Sequence, residues 1–288
     1  MLSRRPLSDP LTIGHHVRDA LEVATDLLTK AGCETPRVDA ELVLAHVLDR
    51  TRSALHADSR RALSAAELSR FDALVARRAR REPVAYLLGE WGFRRLVLSV
   101  DRRVLVPRPE TETVVERALA LLRGLPAPCV LDVGTGCGAI ALAIADEHRG
   151  ARVTALDSSS DALALARENA ERLGLAVELV RLDLFEGLPE GPWNLVVSNP
   201  PYVRPDEVDA LPPEVRGWEP RAAIVGEGAT EAIAQAATGV LTENGALVLE
   251  TADGDAGRVA ALLSELGFEA VRVTSDLSGR ERVVEGRR

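Results

Sequence analysis

Residues 129–143 read CVLDVGTGCGAIALA, and this segment is the most informative one about the fold. An apolar run from Cys129 to Val133 predicts a buried strand, and an alanine-rich apolar run from Ala139 predicts a helix. Glycines fill the turn between them, where they let the backbone approach a ligand closely. The helix that follows begins with free N–H groups and the positive end of its dipole. The stretch therefore predicts a strand, a ligand-binding turn and a helix.

Strands and helices alternate from this stretch to the end of the chain. The sequence predicts strands over 152–157, 177–180, 195–198, 246–250, 270–274 and 282–284. It predicts helices over 139–147, 161–173, 230–241 and 257–266. Such alternation implies an α/β fold with a mostly parallel, doubly wound sheet. No helix is predicted between the last two strands, so we expect the last strand to run antiparallel.

Acidic residues follow two of these strands. Asp157 ends the strand after the glycine turn, 23 residues beyond Gly134, and Asp183 ends the next strand. Open α/β sheets bind ligands at the carboxyl ends of their strands, where an acid meets a ribose diol. Asp183 is placed to hold an adenine amine. These features indicate an adenosine-type cofactor without selecting it, because the glycines also satisfy a dinucleotide fingerprint.

The most specific segment is Asn199-Pro200-Pro201-Tyr202, which follows the apolar run WNLVVS at residues 193–198. The prolines remove two backbone N–H donors and fix φ at about −65°, so the carbonyls there become rigid acceptors. The Asn adds an amide oxygen and the Tyr a flat face. Together they suit a planar group that carries an NH₂, either a base amine or a carboxamide. The segment resembles the signature of amino-methyltransferases, in which the target nitrogen lies against Asn and Pro oxygens.

The front of the chain has a different pattern. Residues 14–81 are predicted to be helical, with Ser64 and Glu67 forming a capping box for the last helix. Residues 91–100 then predict a short strand, and residues 104–106 its hairpin partner. We therefore expect a small all-α helical bundle, a β-hairpin with a linker, and the sheet domain, over residues 1–85, 86–110 and 111–288.

A proline-stiffened segment, PRPETE at residues 107–112, precedes a predicted helix that runs through Leu121. Arg108 and Glu110 lie in its extended part, which suits ligand contacts. Glu112 lies near the helix N-terminus, where a carboxylate is favourable against the helix dipole. We therefore interpret Arg108 and Glu110, rather than Glu112, as candidate substrate contacts.

The composition is that of an ordinary globular chain, since 46% of the 288 residues are hydrophobic and 27% are charged. No apolar run reaches the length of a membrane span, and the N-terminus lacks the apolar core of a signal peptide. Cys33, Cys129 and Cys137 lack the spacing of metal ligands, and the histidines form no cluster with them. We therefore expect free thiols in a reducing cytosol and no structural metal.

Charge differs between the two parts of the chain. Residues 1–110 carry 19 Lys and Arg against 15 Asp and Glu, a net of +4, whereas the rest carry 16 against 29, a net of −13. Phosphate contacts usually need a basic face, so the acidic part argues against a long duplex as substrate. The positive front suits an acidic protein partner. General arginine richness explains it equally well, because Lys30 is the one lysine in the sequence.

Several segments together resemble one family. Residues 132–142 look like the methionine-binding loop of class I S-adenosylmethionine methyltransferases. With the Asn199 segment, PRPETE at 107–112 and PRVDAE at 36–41, they resemble the release-factor glutamine methyltransferases. Glu219-Pro220-Arg221 and the ending DLSGRERVV, residues 276–284, are also similar. The resemblance runs from about residue 14 to the end, and the combination of segments is highly specific.

The resemblance implies a fold, an activity and a partner. The fold is a Rossmann-like class I methyltransferase sheet. The activity is transfer of a methyl group from S-adenosyl-L-methionine to the side-chain amide nitrogen of the Gln in the Gly-Gly-Gln motif of class I peptide chain release factors, which modulates translation termination and leaves S-adenosyl-L-homocysteine. The helical front would dock the release factor. We expect a cytoplasmic monomer that holds no stable nucleic acid and no membrane.

The same resemblance assigns the site residues. Asn199 and the carbonyl of Pro200 would accept the two hydrogen bonds of the Gln NH₂, and Tyr202 would complete this catalytic set. Substrate binding would also involve Pro201, Arg108 and Glu110. Gly134, Thr135, Gly136, Cys137 and Gly138 would hold the methionine end of the cofactor, Asp157 the ribose hydroxyls, and Asp183 with Leu184 the adenine edge, with Asn199 beside it. No side chain is assigned as a general base, and no metal is expected.

Other function classes stay open on the residues alone. An exocyclic base amine of RNA or DNA fits the Asn199 pocket, but the acidic sheet part and the lack of a basic or aromatic face argue against nucleic acid. A nicotinamide oxidoreductase can use the same glycine turn, yet it has no use for the Asn199 segment. A non-catalytic, cofactor-binding scaffold is the third alternative, and the intact pocket argues against it.

Overall fold

The computed structural model describes residues 16–288, and the prediction that the N-terminus is no signal peptide lies outside these residues. The chain divides into a helical unit that ends at Leu88 and a sheet unit that begins at Gly89. Among the described residues, no helix combines the length and the apolar character that a membrane crossing needs.

The helical unit is built from helices of 5 to 15 residues. They are α1 Val17–Lys30, α2 Pro36–Leu48, α3 Arg52–Ala57, α4 Ala65–Ala79 and α5 Val84–Leu88. The capping box of α4 is present, since the Ser64 hydroxyl accepts from the Glu67 N–H and the Glu67 carboxylate accepts from the Ser64 N–H. Phe71 and Val75 of α4 are buried in the core of this unit. The short α5 is an element that the periodicity of the sequence did not predict.

A hairpin opens the sheet unit, and its position differs from the prediction. Strand β1, Glu90–Phe93, pairs antiparallel with β2, Leu96–Ser99, so both strands lie within the segment predicted as one strand. Residues 104–106 form no strand. No local turn signal marks this position, because Arg94 rather than a glycine takes the positive φ of 51° at the turn.

The sheet domain follows the predicted alternation closely. Its strands are β3 Cys129–Val133, β4 Arg152–Asp157, β5 Glu178–Arg181, β6 Trp193–Ser198, β7 Leu241–Glu250, β8 Glu269–Ser275 and β9 Glu281–Arg287. Its helices are α6 Thr111–Leu122, α7 Ala139–Glu147, α8 Ser160–Leu173, α9 Pro213–Trp218, α10 Ala229–Val240 and α11 Ala256–Glu265. Leu131, Val196 and Leu247 of the central strands are fully buried, as expected where helices cover a parallel sheet.

The order of the strands creates the site. Within residues 16–288 the order is β5-β4-β3-β6-β7-β9-β8. The pairs from β5 to β7 are parallel, and β9 runs antiparallel to β7 and β8, which confirms the predicted sheet and its antiparallel last strand. The chain builds outward from β3 to β5 and then returns to place β6 on the other side of β3. The carboxyl ends of β3 and β6 therefore flank a crevice at a topological switch point, where open α/β sheets bind ligands.

Candidate functional site

The crevice between β3 and β6 carries both main sequence motifs. Val133 pairs with Ser198 in the sheet, so the glycine turn at Gly134 and the segment at Asn199 leave the sheet side by side. The Ser198 hydroxyl donates to the Val133 carbonyl at 2.7 Å and ties the two strand ends together.

The glycine turn is held by backbone hydrogen bonds and leaves space beside it. The N–H groups of Gly134 and Thr135 donate to the Leu156 carbonyl at 2.9 and 3.0 Å. Gly134 and Gly136 have φ values of 73° and 57°, a conformation that glycine adopts without steric cost. A Cβ on either glycine would meet no atom within 4 Å. The space beside the turn is therefore free for a ligand.

Asp132, which the sequence analysis did not single out, fixes this turn from inside the protein. Its Oδ2 accepts from the Thr135 hydroxyl at 2.7 Å and from the Ala141 N–H at 3.1 Å. The side chain is fully buried, and burial raises the pKa of Asp132 to about 7. Asp132 thus joins the turn to the first residues of α7.

The Asp157 carboxylate lies against the same turn. Its Oδ2 accepts from the Gly136 N–H and its Oδ1 from the Ser159 N–H, each at 2.9 Å. Burial raises the pKa of Asp157 above its ordinary value, although these backbone hydrogen bonds act in the opposite direction. Each carboxylate oxygen has a further lone pair, so the group can accept from a ribose diol while it holds the turn.

A cavity brings most of the predicted cofactor residues together; it is called the cofactor cavity below. It is lined by residues 134–137, Asp157, Leu184 and Asn199, with apolar walls from Ile140, Leu156 and Leu182. The cavity fits an adenosine-type cofactor, because it offers acceptors for a diol, apolar walls for a flat base and a glycine turn at a helix N-terminus.

Two predicted cofactor residues lie outside this lining. Gly138 has a φ of 87°, and a Cβ there would approach Leu142 Cδ1 to 2.9 Å, so this glycine serves the packing of α7. The Asp183 Oδ1 accepts from the Phe185 N–H at 3.0 Å and caps a short 3₁₀ turn. Its contact with an adenine amine stays a prediction.

The cysteines are free thiols in the structure. Burial raises the pKa of Cys137 to about 12, so this cavity residue is a neutral thiol at physiological pH. A nucleophilic role for it is excluded, because the thiolate is the reactive form. Across residues 16–288, no group of His, Cys, Asp and Glu side chains is arranged to hold a metal ion.

A neighbouring cavity, called the acceptor cavity below, gathers the predicted substrate residues. It is lined by Asn199, Pro200, Pro201, Tyr202, Arg108 and Glu110, with apolar walls from Leu105, Leu211 and Val215. Asn199, Pro201 and Arg108 line both cavities. A group bound in one cavity is therefore adjacent to a group bound in the other, and Asn199 lies at their junction.

An ion pair fixes Arg108 at this junction. Its Nη2 donates to both oxygens of Glu219 at 2.8 and 2.7 Å. Glu219 is buried, and burial raises its pKa despite the opposing effect of Arg108. The pair joins residues 107–112 to the segment after α9, so it holds two walls of the acceptor cavity together. No local sequence pattern predicts this role of Glu219.

The Asn199 side chain has partners that no local sequence pattern predicts. Its Nδ2 donates to the Thr111 Oγ1 at 3.2 Å, and the Thr111 hydroxyl donates to the Glu250 Oε2 at 2.6 Å. Tyr202 lies near the same carboxyl group, and burial followed by the Glu250 charge raises the pKa of Tyr202 to about 12. Tyr202 is therefore a neutral phenol at physiological pH.

Known proteins match the chain over most of its length. The family described as PrmC N-terminal domain matches residues 19–89, and the methyltransferase small domain matches residues 116–211. The release factor glutamine methyltransferase of Deinococcus radiodurans is 44% identical over 279 residues, covering 94% of this chain and 98% of that protein. The release factor glutamine methyltransferase of Rhodopirellula baltica is 40% identical, covering 92% of this chain and 93% of that protein.

A solved structure shares the fold of part of this chain. The hMettl16 catalytic domain in complex with MAT2A 3′UTR hairpin 6 has a TM-score of 0.54 and 15% identity, covering 66% of this chain and 74% of that chain. At this identity the likeness concerns the fold alone.

Proposed function

The chain belongs to the release factor glutamine methyltransferases, and we propose that it methylates the Gln of the Gly-Gly-Gln motif in class I peptide chain release factors and so modulates translation termination. It is an S-adenosylmethionine-dependent protein-(glutamine-N5) methyltransferase by family. The observation that carries the proposal is the junction of the two cavities at Asn199. A cofactor and a Gln side chain held in these cavities meet beside that residue.

The residues of the cofactor cavity fit S-adenosylmethionine. Residues 134–137 would hold its methionine end, Asp157 its ribose, and the apolar wall at Leu182 and Leu184 its adenine. Bound S-adenosylmethionine supplies a methyl group on a sulfonium sulfur and leaves as S-adenosylhomocysteine.

The residues of the acceptor cavity would orient the Gln side chain for methyl transfer. An amide nitrogen is a poor nucleophile because its lone pair is delocalised into the carbonyl group. The Asn199 Oδ1 and the Pro200 carbonyl would accept from the Gln NH₂, polarise its N–H bonds and aim the nitrogen. Positioning of this kind supplies at most ~7–11 kcal/mol of the barrier. The proton leaves a nitrogen made acidic by alkylation, so no side chain is assigned as a general base.

The partner and the setting complete the proposal. Residues 1–85 would dock the release factor, residues 86–110 would form the hairpin and linker, and residues 111–288 would carry methyl transfer. We place the enzyme in the cytoplasm as a monomer, with no nucleic acid and no membrane bound. Methylation of an exocyclic base amine in RNA or DNA is the alternative, and the net charge of −13 beyond residue 110 argues against it.

Gly226 gives a test of the acceptor cavity. A Cβ at this position would lie 2.4 Å from the Pro201 carbonyl oxygen and ring. We expect Gly226→Ala to displace Pro201, to raise the KM for the release factor, and to lower the free energy of unfolding by about 1–3 kcal/mol, as overpacking does. Cofactor affinity should change less, because the glycine turn is untouched.

The matched control is Gly217→Ala. Gly217 lies in α9, and a Cβ there would meet no atom within 4 Å. Urea unfolding and acceptor titrations on both variants check the prediction, and equal behaviour of the two variants contradicts it.

The activity is tested with isotopically labelled S-adenosylmethionine and purified acceptors. These are a class I release factor, the same factor with its motif Gln changed to Ala, and a structured RNA. We expect label in the unaltered factor alone. Transfer to the RNA, or equal transfer to both forms of the factor, contradicts the proposal.

A further inference from the structure

The Thr111 hydroxyl links a buried carboxyl group to the residue at the cavity junction. Thr111 begins α6 and is 4% exposed, whereas Glu250 ends β7 and is 0% exposed. The Thr111 Oγ1 donates to the Glu250 Oε2 at 2.6 Å and accepts from the Asn199 Nδ2 at 3.2 Å. A hydroxyl has one proton to donate, and an ionised carboxylate can only accept. The carboxylate therefore fixes the direction of the Thr111 hydroxyl.

This direction determines how the Asn199 amide is oriented. Because the Thr111 proton points to Glu250, its oxygen presents lone pairs to Asn199, and the amide must turn its NH₂ toward Thr111. The amide oxygen then lies on the opposite branch of the side chain. Within residues 16–288 the Asn199 side chain is hydrogen-bonded through its Nδ2, and Asn199 lines both cavities. The acceptor oxygen is thus left for a ligand.

We propose that Glu250 and Thr111 are positioning residues that hold Asn199 with its amide oxygen available to the NH₂ group of the substrate. This inference rests on the proposed function and adds two residues to it. Neither residue needs to touch the Gln. Without the pair, the amide can rotate by half a turn and present an NH₂ to another NH₂, which removes one acceptor from the site.

The charge state of Glu250 makes this orientation dependent on pH. Burial raises the pKa of Glu250 to about 7, while the Thr111 hydrogen bond lowers it. The other groups that act on this carboxyl are Glu110, which raises its pKa, Arg282 and Arg108, which lower it, and the neutral Tyr202 phenol. Since the pKa is raised, Glu250 is ionised above about pH 7 and protonated below it. A protonated Glu250 can donate to Thr111, whose own proton then points to Asn199 and favours the reversed amide.

A purely structural role of the same hydrogen bonds makes different predictions. They would then only fasten the start of α6 to the end of β7, and their loss would lower stability without a selective effect on turnover. Thr111→Ser keeps the hydroxyl, Thr111→Val keeps the shape without it, and Glu250→Gln keeps an acceptor that does not titrate.

The test measures kcat, KM for the release factor and cofactor affinity for these variants from pH 5.5 to 9. We expect Thr111→Val to lower kcat by about 10-fold to 100-fold, which corresponds to one lost or unsatisfied hydrogen bond. The midpoint of thermal unfolding reports whether the variant folds, and cofactor affinity reports any change in the cofactor cavity, which Thr111 also lines. Thr111→Ser should retain kcat within about 3-fold, because its hydroxyl can make the same two hydrogen bonds.

Glu250→Gln should lose the fall of kcat below pH 7 that the wild type shows. An unchanged kcat in Thr111→Val, or an unchanged acid limb in Glu250→Gln, overturns the inference.

A second readout needs no acceptor and separates this inference from the proposed function. The side-chain NH₂ resonances of Asn199, identified by their loss in Asn199→Ala, are followed by NMR against pH. We expect them to shift with a midpoint near pH 7 in the wild type and to stay constant in Glu250→Gln. Resonances that do not titrate in the wild type overturn the positioning role, even if methyl transfer to the release factor is confirmed. If transfer to the factor fails, titrating resonances still support it.

Discussion

Replacing Asn199 with alanine is expected to lower kcat by about 10²–10³-fold, the loss typical of removing one group that polarises a reacting atom. The amide oxygen of Asn199 is one of two acceptors proposed for the Gln NH₂, and the other, the Pro200 carbonyl, cannot orient the nitrogen alone. The cofactor should bind nearly as well as before, because its holding groups lie in residues 134–137 and at Asp157.

Single-turnover transfer and calorimetric titration of the cofactor measure these two effects separately. Asn194→Ala is the matched control, since Asn194 lies at the other end of β6 and its Oδ1 accepts from the Cys129 N–H. We expect the control to keep its rate of transfer. An Asn199→Ala variant with the wild-type rate would remove the basis of the assigned role.

Replacing Asp157 with alanine is expected to have the opposite effect, a loss of cofactor affinity rather than of kcat. The affinity for S-adenosylmethionine should fall by roughly 1.5–3 kcal/mol, the contribution of hydrogen bonds to a charged group, or about 10-fold to 150-fold in Kd. Part of the loss comes from the turn itself, because the Asp157 carboxylate holds the Gly136 N–H and the Ser159 N–H. At saturating cofactor, kcat should recover most of its wild-type value.

Calorimetric titration of the cofactor checks this result, with Asp161→Ala as the control. Asp161 is an exposed acid in the first turn of α8, so its loss removes the same charge without a contact in the cofactor cavity. Equal loss of cofactor affinity in Asp157→Ala and Asn199→Ala would show that the two cavities do not have separate roles.

The sheet domain could be predicted in detail because its signals are local. The bounds of α7 and β4 match the predicted 139–147 and 152–157, since glycines, apolar runs and acidic residues delimit these elements. The predicted position of the hairpin is wrong because its turn lacks such a local signal. Its turn at Arg94 has a positive φ of 51° without glycine or asparagine to announce it.

The candidate site could be predicted only where its residues lie in contiguous sequence segments. The glycine turn, Asp157 and the Asn199 segment each follow a strand, so their meeting at one edge of the sheet follows from the topology. Thr111 and Glu250 are 139 positions apart, and they meet because α6 packs against β7. Gly226 against Pro201 is a similar long-range contact. Such pairs depend on strand order and packing, which local sequence patterns do not specify.

Locating the methyl group at residue level tests whether the motif Gln is the acceptor of this enzyme. A class I release factor is incubated with the enzyme and S-adenosylmethionine, digested, and analysed by fragmentation mass spectrometry. We expect one methyl group on the side-chain nitrogen of the Gln in the Gly-Gly-Gln motif with wild-type enzyme, and almost none with Asn199→Ala. A methyl group on another residue, or an equal amount with both enzymes, would contradict this expectation.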